Sequence, residues 1–307
     1  MGIVPYVCDH VPMRTASTLA LGTVAAGLAG IAYARWEADQ YTLRRVTTPV
    51  LPHGQHDLRI LHLSDLHFVP GQDKKQAWVR SLRDLRPDAV VVTGDFMSHM
   101  DAVPHVLDTL DPLFDLPGAF VLGSNDYYAP KPLNPARYLA GPSQIEPSKR
   151  PMLPWGDLVD GLTTNGWLDL GNARAAMKID GREVDVRGVD DPHISRDRYA
   201  EVAGPFDSGA DLTLGVTHAP YLRVLDGMAA DGADLILAGH THGGQLCVPG
   251  VGALVTNCDI DRKRAKGLSS HGASVLHVSA GLGTSPYAPI RFACRPEATL
   301  LTLTTRS

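Results

Sequence analysis

Short runs of branched and apolar residues recur along this chain, and each closes on a polar cluster. Leu58 to Leu63 reads as a strand that delivers Ser64-Asp65-Leu66-His67. Asp88 to Thr93, with Ala-Val-Val-Val at its centre, reads as a second, buried strand ending in Gly94-Asp95. Ala119 to Leu122 is a third, ending in Gly123-Ser124-Asn125-Asp126. Between them, Asp73 to Leu85 sets Ala77, Trp78, Leu82 and Leu85 at helical spacing, and another helix is expected from Ala102 to Leu110. A helix near Gly156 to Asn165 precedes strands around Ala173 to Ile179 and Glu183 to Val189. Asp211 to Val216 then delivers Thr217-His218-Ala219-Pro220, and a helix follows from Tyr221 to Met228. Leu235 to Ala238 is a short buried strand that breaks at Gly239 into His240-Thr241-His242-Gly243-Gly244. Strands at Ser274 to Ser279 and Ala298 to Leu303 complete the pattern. Strand, polar cluster and helix in repetition predict an α/β fold whose site lies beyond the carboxyl ends of the strands. The two runs of strands predict two sheets.

Two stretches depart from this texture. Thr15 to Ala34 carries no charge and is long enough to span a bilayer core, but it is mostly Ala, Gly, Thr and Ser. Met13-Arg14 before it and Ala32-Tyr33-Ala34 at its end also suit a signal peptide. Membrane anchor, cleaved signal and buried Ala-rich helix are all open readings of residues 1–35. Arg35, Arg44 and Arg45 offset Arg14, so the positive-inside rule leaves the orientation and the side of the membrane open, with a secreted or cell-envelope location among the possibilities. Residues 36–57 read as a linker and lead-in strand, since Pro49 and Pro52 exclude a helix. The main domain is expected over 58–307. Within it, residues 127–155 hold Pro130, Pro132, Pro135, Pro142, Pro147, Pro151 and Pro154 among Lys131, Arg137, Lys149 and Arg150. Such a segment reads as a lid or an insertion.

Composition narrows the chemistry. A formal charge of −5 over 307 residues gives no sign of a nucleic-acid partner. Cys8, Cys247, Cys258 and Cys294 show no CxxC spacing, so neither a thiolate zinc site nor a disulfide framework is implied. The strand ends instead supply Asp65, His67, Asp95, Asn125, His218, His240 and His242. Carboxylate, amide and imidazole donors suit two hard or borderline divalent ions such as manganese, iron or zinc. Two such ions about 3.5–4 Å apart clamp a phosphoryl group and acidify a shared water. They need a bridging carboxylate, for which Asp95 is the candidate. The late position of His240-x-His242 argues against a zinc amidohydrolase, whose HxH belongs on the first strand.

With Asp65-x-His67, Gly94-Asp95, the Gly123 to Asp126 segment, His218 and Gly239-His240-x-His242 in order, the chain resembles the calcineurin-like metallophosphoesterases from Leu58 onward. Gly243-Gly244-Gln245, Pro249-Gly250, Gly281 to Ser285, Arg291-Phe292 and Arg295-Pro296-Glu297 are similar to the membrane-associated bacterial branch of that family. The resemblance implies a four-layer α/β sandwich of two mixed sheets with helices outside. It implies one ion on Asp65, His67, Asp95 and His242, and a second on Asp95, Asn125, His218 and His240. It also implies hydrolysis of a phosphodiester, a phosphomonoester or a lipid- or nucleotide-linked pyrophosphate by a hydroxide bridging the two ions, with Asp95, Asn125 and His218 at the reacting centre.

One motif departs from the family. Where the family reads Gly-Asn-His-Asp or Gly-Asn-His-Glu, this chain reads Gly123-Ser124-Asn125-Asp126. Either Asn125 or Ser124 supplies the neutral ligand, and an amide is the better oxygen donor. The histidine that normally assists the leaving group is missing, which leaves His99 or His193 as substitutes, or else a leaving group that departs unaided. The same departure supports a rival reading, a membrane-attached metal- or phosphate-binding protein with a degenerate site. Arg262-Lys263-Arg264 and Lys266 could face anionic headgroups or lie in solvent.

Overall fold

The computed structural model describes residues 13–132 and 149–306. In chain order, α1 (Met13–Glu37), β1 (Thr42–Leu51), β2 (Leu58–Leu63), α2 (Asp73–Ser81), β3 (Ala89–Thr93), α3 (Val103–Leu110) and β4 (Gly118–Val121) form the first half. The short α4 (Ser124–Tyr127), α5 (Trp155–Thr164) and β5 (Leu168–Asp169) follow. The second half runs through β6 (Ala173–Ile179), β7 (Arg182–Gly188), α6 (Tyr199–Val202), β8 (Leu212–Val216), α7 (Leu222–Ala230) and β9 (Leu235–Ala238). A small hairpin, β10 (Cys247–Val248) and β11 (Gly252–Ala253), precedes β12 (Gly267–His271), β13 (Ser274–Val278) and β14 (Glu297–Thr305). The central part of the insertion, including Pro135, Arg137, Pro142 and Pro147, lies outside the described residues, as does Cys8.

Two six-stranded mixed sheets result, in the orders β1-β14-β2-β3-β4-β5 and β12-β13-β9-β8-β7-β6. Ile60, Val91, Val121 and Leu301 of the first sheet meet Val186, Leu214, Val216 and Leu237 of the second in a continuous apolar layer. Each such buried side chain contributes about 1.5–3 kcal/mol through burial. Helices α2, α3 and α5 cover the outer face of the first sheet, and α7 packs on the outer face of the second. This is the four-layer sandwich. In the first sheet β2, β3 and β4 are parallel neighbours, and in the second β8 and β9 are. Their carboxyl ends gather along one edge.

Local details depart from the pattern read along the chain. The helix expected from Asp73 to Leu85 is α-helical only to Ser81 and ends as a 3₁₀ turn over Leu82–Leu85. Lys75, Val79 and Leu82 are its buried residues and Trp78 and Leu85 pack on the same core as expected, while Ala77 is exposed. Lys75 reaches inward because its ammonium donates to Leu66 O at 2.5 Å, tying the helix to the loop that carries His67. The lead-in strand is β1, which runs parallel to β14 at the edge of the first sheet, where Pro49 costs no central ladder bond.

A membrane anchor is one of three readings of residues 1–35; among the described residues no helix is long and apolar enough to cross a membrane. Helix α1 runs for 25 residues. Its end is fastened to the sandwich. Glu37, buried, accepts from Ala293 N at 3.0 Å and Cys294 N at 2.9 Å, and Ala34 O accepts from Arg291 N at 2.9 Å.

Candidate metal centre

Asp65 and His67 follow β2, Asp95 follows β3, and His240 and His242 follow β9. All five hold a left-handed backbone, with φ of 49°, 44°, 55°, 68° and 49° respectively. Non-glycine residues adopt this region at a cost, and its concentration on one set of polar residues marks a site whose side chains are held for function. It also explains how His240 and His242, two apart, both turn inward, because the chain between them is no longer extended.

Gly239 is required by the same crowding. A Cβ there would sit 1.8 Å from Ser64 Oγ and 2.7 Å from Asp65 Oδ2. Its absence lets His240 N donate to both carboxylate oxygens of Asp65, at 3.1 and 3.0 Å. Gly123 is similarly hemmed in, since a Cβ would lie 2.3 Å from Asp95 Oδ1 and 2.6 Å from His218 Cε1. Asp126 accepts from the backbone N–H groups of Asp95, Phe96, Met97 and Gly123 at 2.7–3.2 Å. It thereby locks the Gly94-Asp95 turn to the Gly123 turn.

The side chains converge as two pairs of imidazoles on either side of one carboxylate. His67 Nε2 and His242 Nε2 are 3.1 Å apart, and His218 Nε2 and His240 Nδ1 are 3.3 Å apart. Asp95 Oδ2 lies 3.4 Å from His67 Nε2 and 3.6 Å from His218 Nε2. Asp65 Oδ1 is 3.5 Å from His242 Nε2. Ligating atoms of Asp65, His67, Asp95 and His242 all fall within 4.8 Å of one another. Asn125 joins from the other side, its N and Nδ2 donating to the two Asp95 oxygens at 2.8 Å each. All seven residues expected from the chain are therefore brought together. Asn125, rather than Ser124, is the one that reaches Asp95.

The donor set fits divalent cations. His218 Nδ1 faces Thr93 O at 2.7 Å, His240 Nε2 faces Asn257 O at 3.1 Å and His242 Nδ1 faces Gly283 O at 3.1 Å. A carbonyl can only accept, so a neutral ring that bonds it keeps its proton on that outer nitrogen and turns the other lone pair inward. Arg291 Nη2 and Asn257 Nδ2, each at 3.3 Å, compete for the outer nitrogens of His242 and His240, and His218 faces the carbonyl alone. His218 Nε2 and His240 Nδ1 stand 3.3 Å apart, the place a cation would take once the His218 Nε2 proton leaves. Burial holds His67 down to about 4 and pushes His240 and His242 well below the ordinary imidazole range, leaving them neutral. Neutral imidazole is the ligating form. His218 differs: burial opposes its charge, but Asp95, Asp191 and Asp65 outweigh it and push its pKa up to about 9. Burial likewise opposes ionisation of Asp95, yet His218, His67 and the two Asn125 bonds hold its carboxyl below the usual range. A cation bound here displaces the His218 proton.

Supporting residues were harder to anticipate. Ser98 Oγ meets His67 Nδ1 at 2.9 Å. Arg291, fully buried, donates to Ala280 O, Gly281 O and Gly283 O at 2.8, 3.0 and 2.7 Å, fixing the carbonyl that orients His242. Along the chain Arg291 stood out only within the Arg291-Phe292 pair that is similar to the bacterial branch. Of the two substitute histidines, His99 is exposed beside Asp101. His193 packs on His240 with ring centroids 4.4 Å apart, and its Nδ1 lies 3.1 Å from Tyr221 Oη. Cys247, Cys258 and Cys294 are free and buried.

A two-sheet α/β sandwich with this carboxylate and imidazole cluster at its strand ends defines a metal-binding phosphoesterase architecture. The family model for calcineurin-like phosphoesterases matches residues 58–244, which include all seven site residues, and the chain belongs to that family. It is 26% identical over 300 residues to the metallophosphoesterase YkuE of Bacillus subtilis (strain 168), covering 93% of each chain. It is 30% identical over 278 residues to a transmembrane protein with metallophosphoesterase domain from Bos taurus, covering 84% of this chain and 56% of that one. Among solved structures, the 5'-nucleotidase precursor from Thermus thermophilus aligns with a TM-score of 0.45 and 13% identity, over 80% of this chain and 55% of that one.

Proposed function

We propose that the chain hydrolyses a phosphate ester at a two-cation centre, with a phosphodiester or a lipid- or nucleotide-linked pyrophosphate as substrate. The observation that carries this reading is the place of Asp95 Oδ2, 3.4 Å from one imidazole pair and 3.6 Å from the other. In this reading Asp65, His67, Asp95 and His242 hold one cation, and Asp95, Asn125, His218 and His240 hold the second. Bound cations would supply charge to stabilise the phosphoryl oxygens and acidify a water. His242 and Asn125 are the partly exposed members of the set and so form the mouth through which an ester enters. His193, held by Tyr221 against His240, is assigned the role of the histidine missing from the Gly123 to Asp126 motif. Burial and nearby His218 keep it neutral, so it serves as a hydrogen-bond donor to the ester.

Metal-reconstituted protein tested on mono-esters, diesters and nucleotide-linked pyrophosphates should bind two equivalents of cation and turn over a bis-aryl phosphate. Two equivalents without turnover of any ester would favour the binding-protein reading, and a single equivalent would remove the two-cation centre.

The same reading includes association with an anionic lipid surface. Leu28, Ile31, Tyr33 and Trp36 of α1 are exposed, as are Leu246, Val248, Val251 and Leu254 on and beside the β10–β11 hairpin, and Tyr287. They are contiguous: Tyr33 packs on Phe292 at 5.6 Å, Phe292 bridges to Leu246, and Gln245 Nε2 donates to Ala288 O at 3.1 Å. Exposed Arg262 donates to Leu254 O at 3.4 Å, with exposed Lys263 beside it, so a basic rim borders the apolar face. Asp259 and Asp261 on the same loop partly offset it. Apolar and aromatic side chains with basic flanks are the composition of a membrane interface. An environment-sensitive dye on Val251→Cys, in a Cys8→Ser background, should shift to the blue with anionic vesicles. Binding should be about tenfold weaker to zwitterionic ones. A dye that stays in water while the protein sediments with vesicles would rule this face out.

A further inference from the structure

Behind the metal centre, the apolar layer between the sheets contains a polar line that the chemistry above does not use. His62 of β2 shares the inter-sheet face with Leu58 and Ile60, and His277 of β13 shares its face with Val275. Both histidines are fully buried. Their Nδ1 atoms are 2.9 Å apart, across the two sheets. From there a continuous series of contacts leads to the cluster: His62 Nε2 to Thr93 Oγ1 at 2.9 Å, Thr93 Oγ1 to Ser64 Oγ at 2.7 Å, and Ser64 Oγ to Asp65 Oδ2 at 2.5 Å.

The carboxylate at one end dictates the direction of every bond. An ionised Asp65 can only accept, so Ser64 spends its single proton on it. Ser64 Oγ must then accept from Thr93, whose only proton is used in turn. Thr93 Oγ1 therefore accepts from His62, which must carry its proton on Nε2. That leaves His62 Nδ1 as an acceptor, so His277 must carry its proton on Nδ1. The last atom, His277 Nε2, is then a bare lone pair. Independently, it is a buried ring nitrogen with no hydrogen-bond partner among the described residues, as the terminus of a one-way donor chain should be. Burial disfavours the charged form of both rings, which keeps each at one proton.

We propose that His277, His62, Thr93 and Ser64 form a one-directional hydrogen-bond relay that orients the Asp65 carboxylate and strengthens its hold on a cation. These are positioning residues, and the effect passes through Asp65 alone. Bonds in such a chain polarise one another, and in the low-dielectric layer between the sheets that polarisation is little screened. The relay also requires both sheets, since His62 and His277 come from opposite sides of the sandwich. The proposal's role for the relay rests on Asp65 being a cation ligand; its bond directions do not.

Long-range nitrogen–proton spectra of the ¹⁵N-labelled, unmodified full chain test the directions without any metal or substrate. His62 should appear as the Nε2–H tautomer and His277 as the less common Nδ1–H tautomer, with assignments from His62→Gln and His277→Gln. The opposite tautomer at either ring overturns the relay. For its role, cation affinity is measured by titration with manganese alone. His62→Phe should weaken binding by about tenfold, in the range expected when a partner of a metal ligand is lost. His62→Gln keeps an N–H donor near the Nε2 position and should recover affinity to within about threefold. Equal affinities in the Phe and Gln variants would overturn the positioning role. Should neither variant fold, His62 and His277 are assigned by through-bond correlation to their backbones in the unmodified chain, and their tautomers decide. A chain that hydrolyses no ester but shows both tautomers would fail the proposed activity and keep the relay.

Discussion

Asp95→Asn should abolish turnover by about a thousandfold or more and release both cations, the largest effect expected of any single change here. The carboxylate stands between two imidazole pairs, with Oδ2 at 3.4 and 3.6 Å from their nearest nitrogens. An amide keeps the shape but loses the charge that, in the proposed two-cation centre, would hold the cations close together. It also replaces one oxygen with an N–H₂ group that can only repel them. The upper end of the cost of losing one charge-stabilising group is about 10³ in rate, and here the cations leave as well. His242→Ala should by contrast cost mainly one equivalent, because His242 faces only the His67 side. Elemental analysis beside rates on a bis-aryl phosphate measures both. Two equivalents retained in Asp95→Asn would refute the bridging role.

Asn125→Ala should lower the rate by roughly 10²–10³-fold, the usual cost of one preorganised group at the reacting centre. Ser124→Ala should change it little. Asn125 contacts both Asp95 oxygens at 2.8 Å, through its backbone N and its side chain. Alanine preserves the first contact and removes the second, so the turn survives while the amide is lost. Loss of one cation equivalent in Asn125→Ala would identify the amide as a ligand. Full cation content with a reduced rate would make it a donor to Asp95 and the ester. Unchanged rates in both alanine variants would remove Asn125 from the site, and a larger loss in Ser124→Ala would reverse the assignment made from the geometry.

Much of this molecule was legible along the chain because the strands that carry the site are short, buried and parallel to one another within each sheet: β2, β3 and β4 in the first, β8 and β9 in the second. A strand covered on both faces reads as an uninterrupted apolar run, as in Ala89–Thr93 and Leu235–Ala238, so each polar residue that follows stands out as the start of a turn. The order of Asp65, His67, Asp95, Asn125, His218, His240 and His242 could be written down for that reason. The helix at Asp73 was placed correctly, and Trp78, Leu82 and Leu85 face the core as expected; Ala77 does not, and Lys75 is buried by a bond to Leu66 O that no periodicity reveals.

The local sequence therefore determined which residues end the strands, and hence the donor set. It also determined that α1 is long but weakly apolar. How the imidazoles pair was implied only by the family resemblance, not by anything local in the chain, and it is in the tertiary structure that the pairing is seen. Sequence separation carries no information on which imidazole faces which across the sheets: His67 meets His242 from 175 positions away, while His218 meets His240. The tertiary structure decided that Asn125, not its neighbour, reaches Asp95, because the Asp126 carboxylate binds the backbone of both turns and sets their register. The burial of Arg291 and the facing of His62 on His277 belong to the same class. Each depends on the packing of one sheet against the other, which brings together residues that have no local reason to be paired.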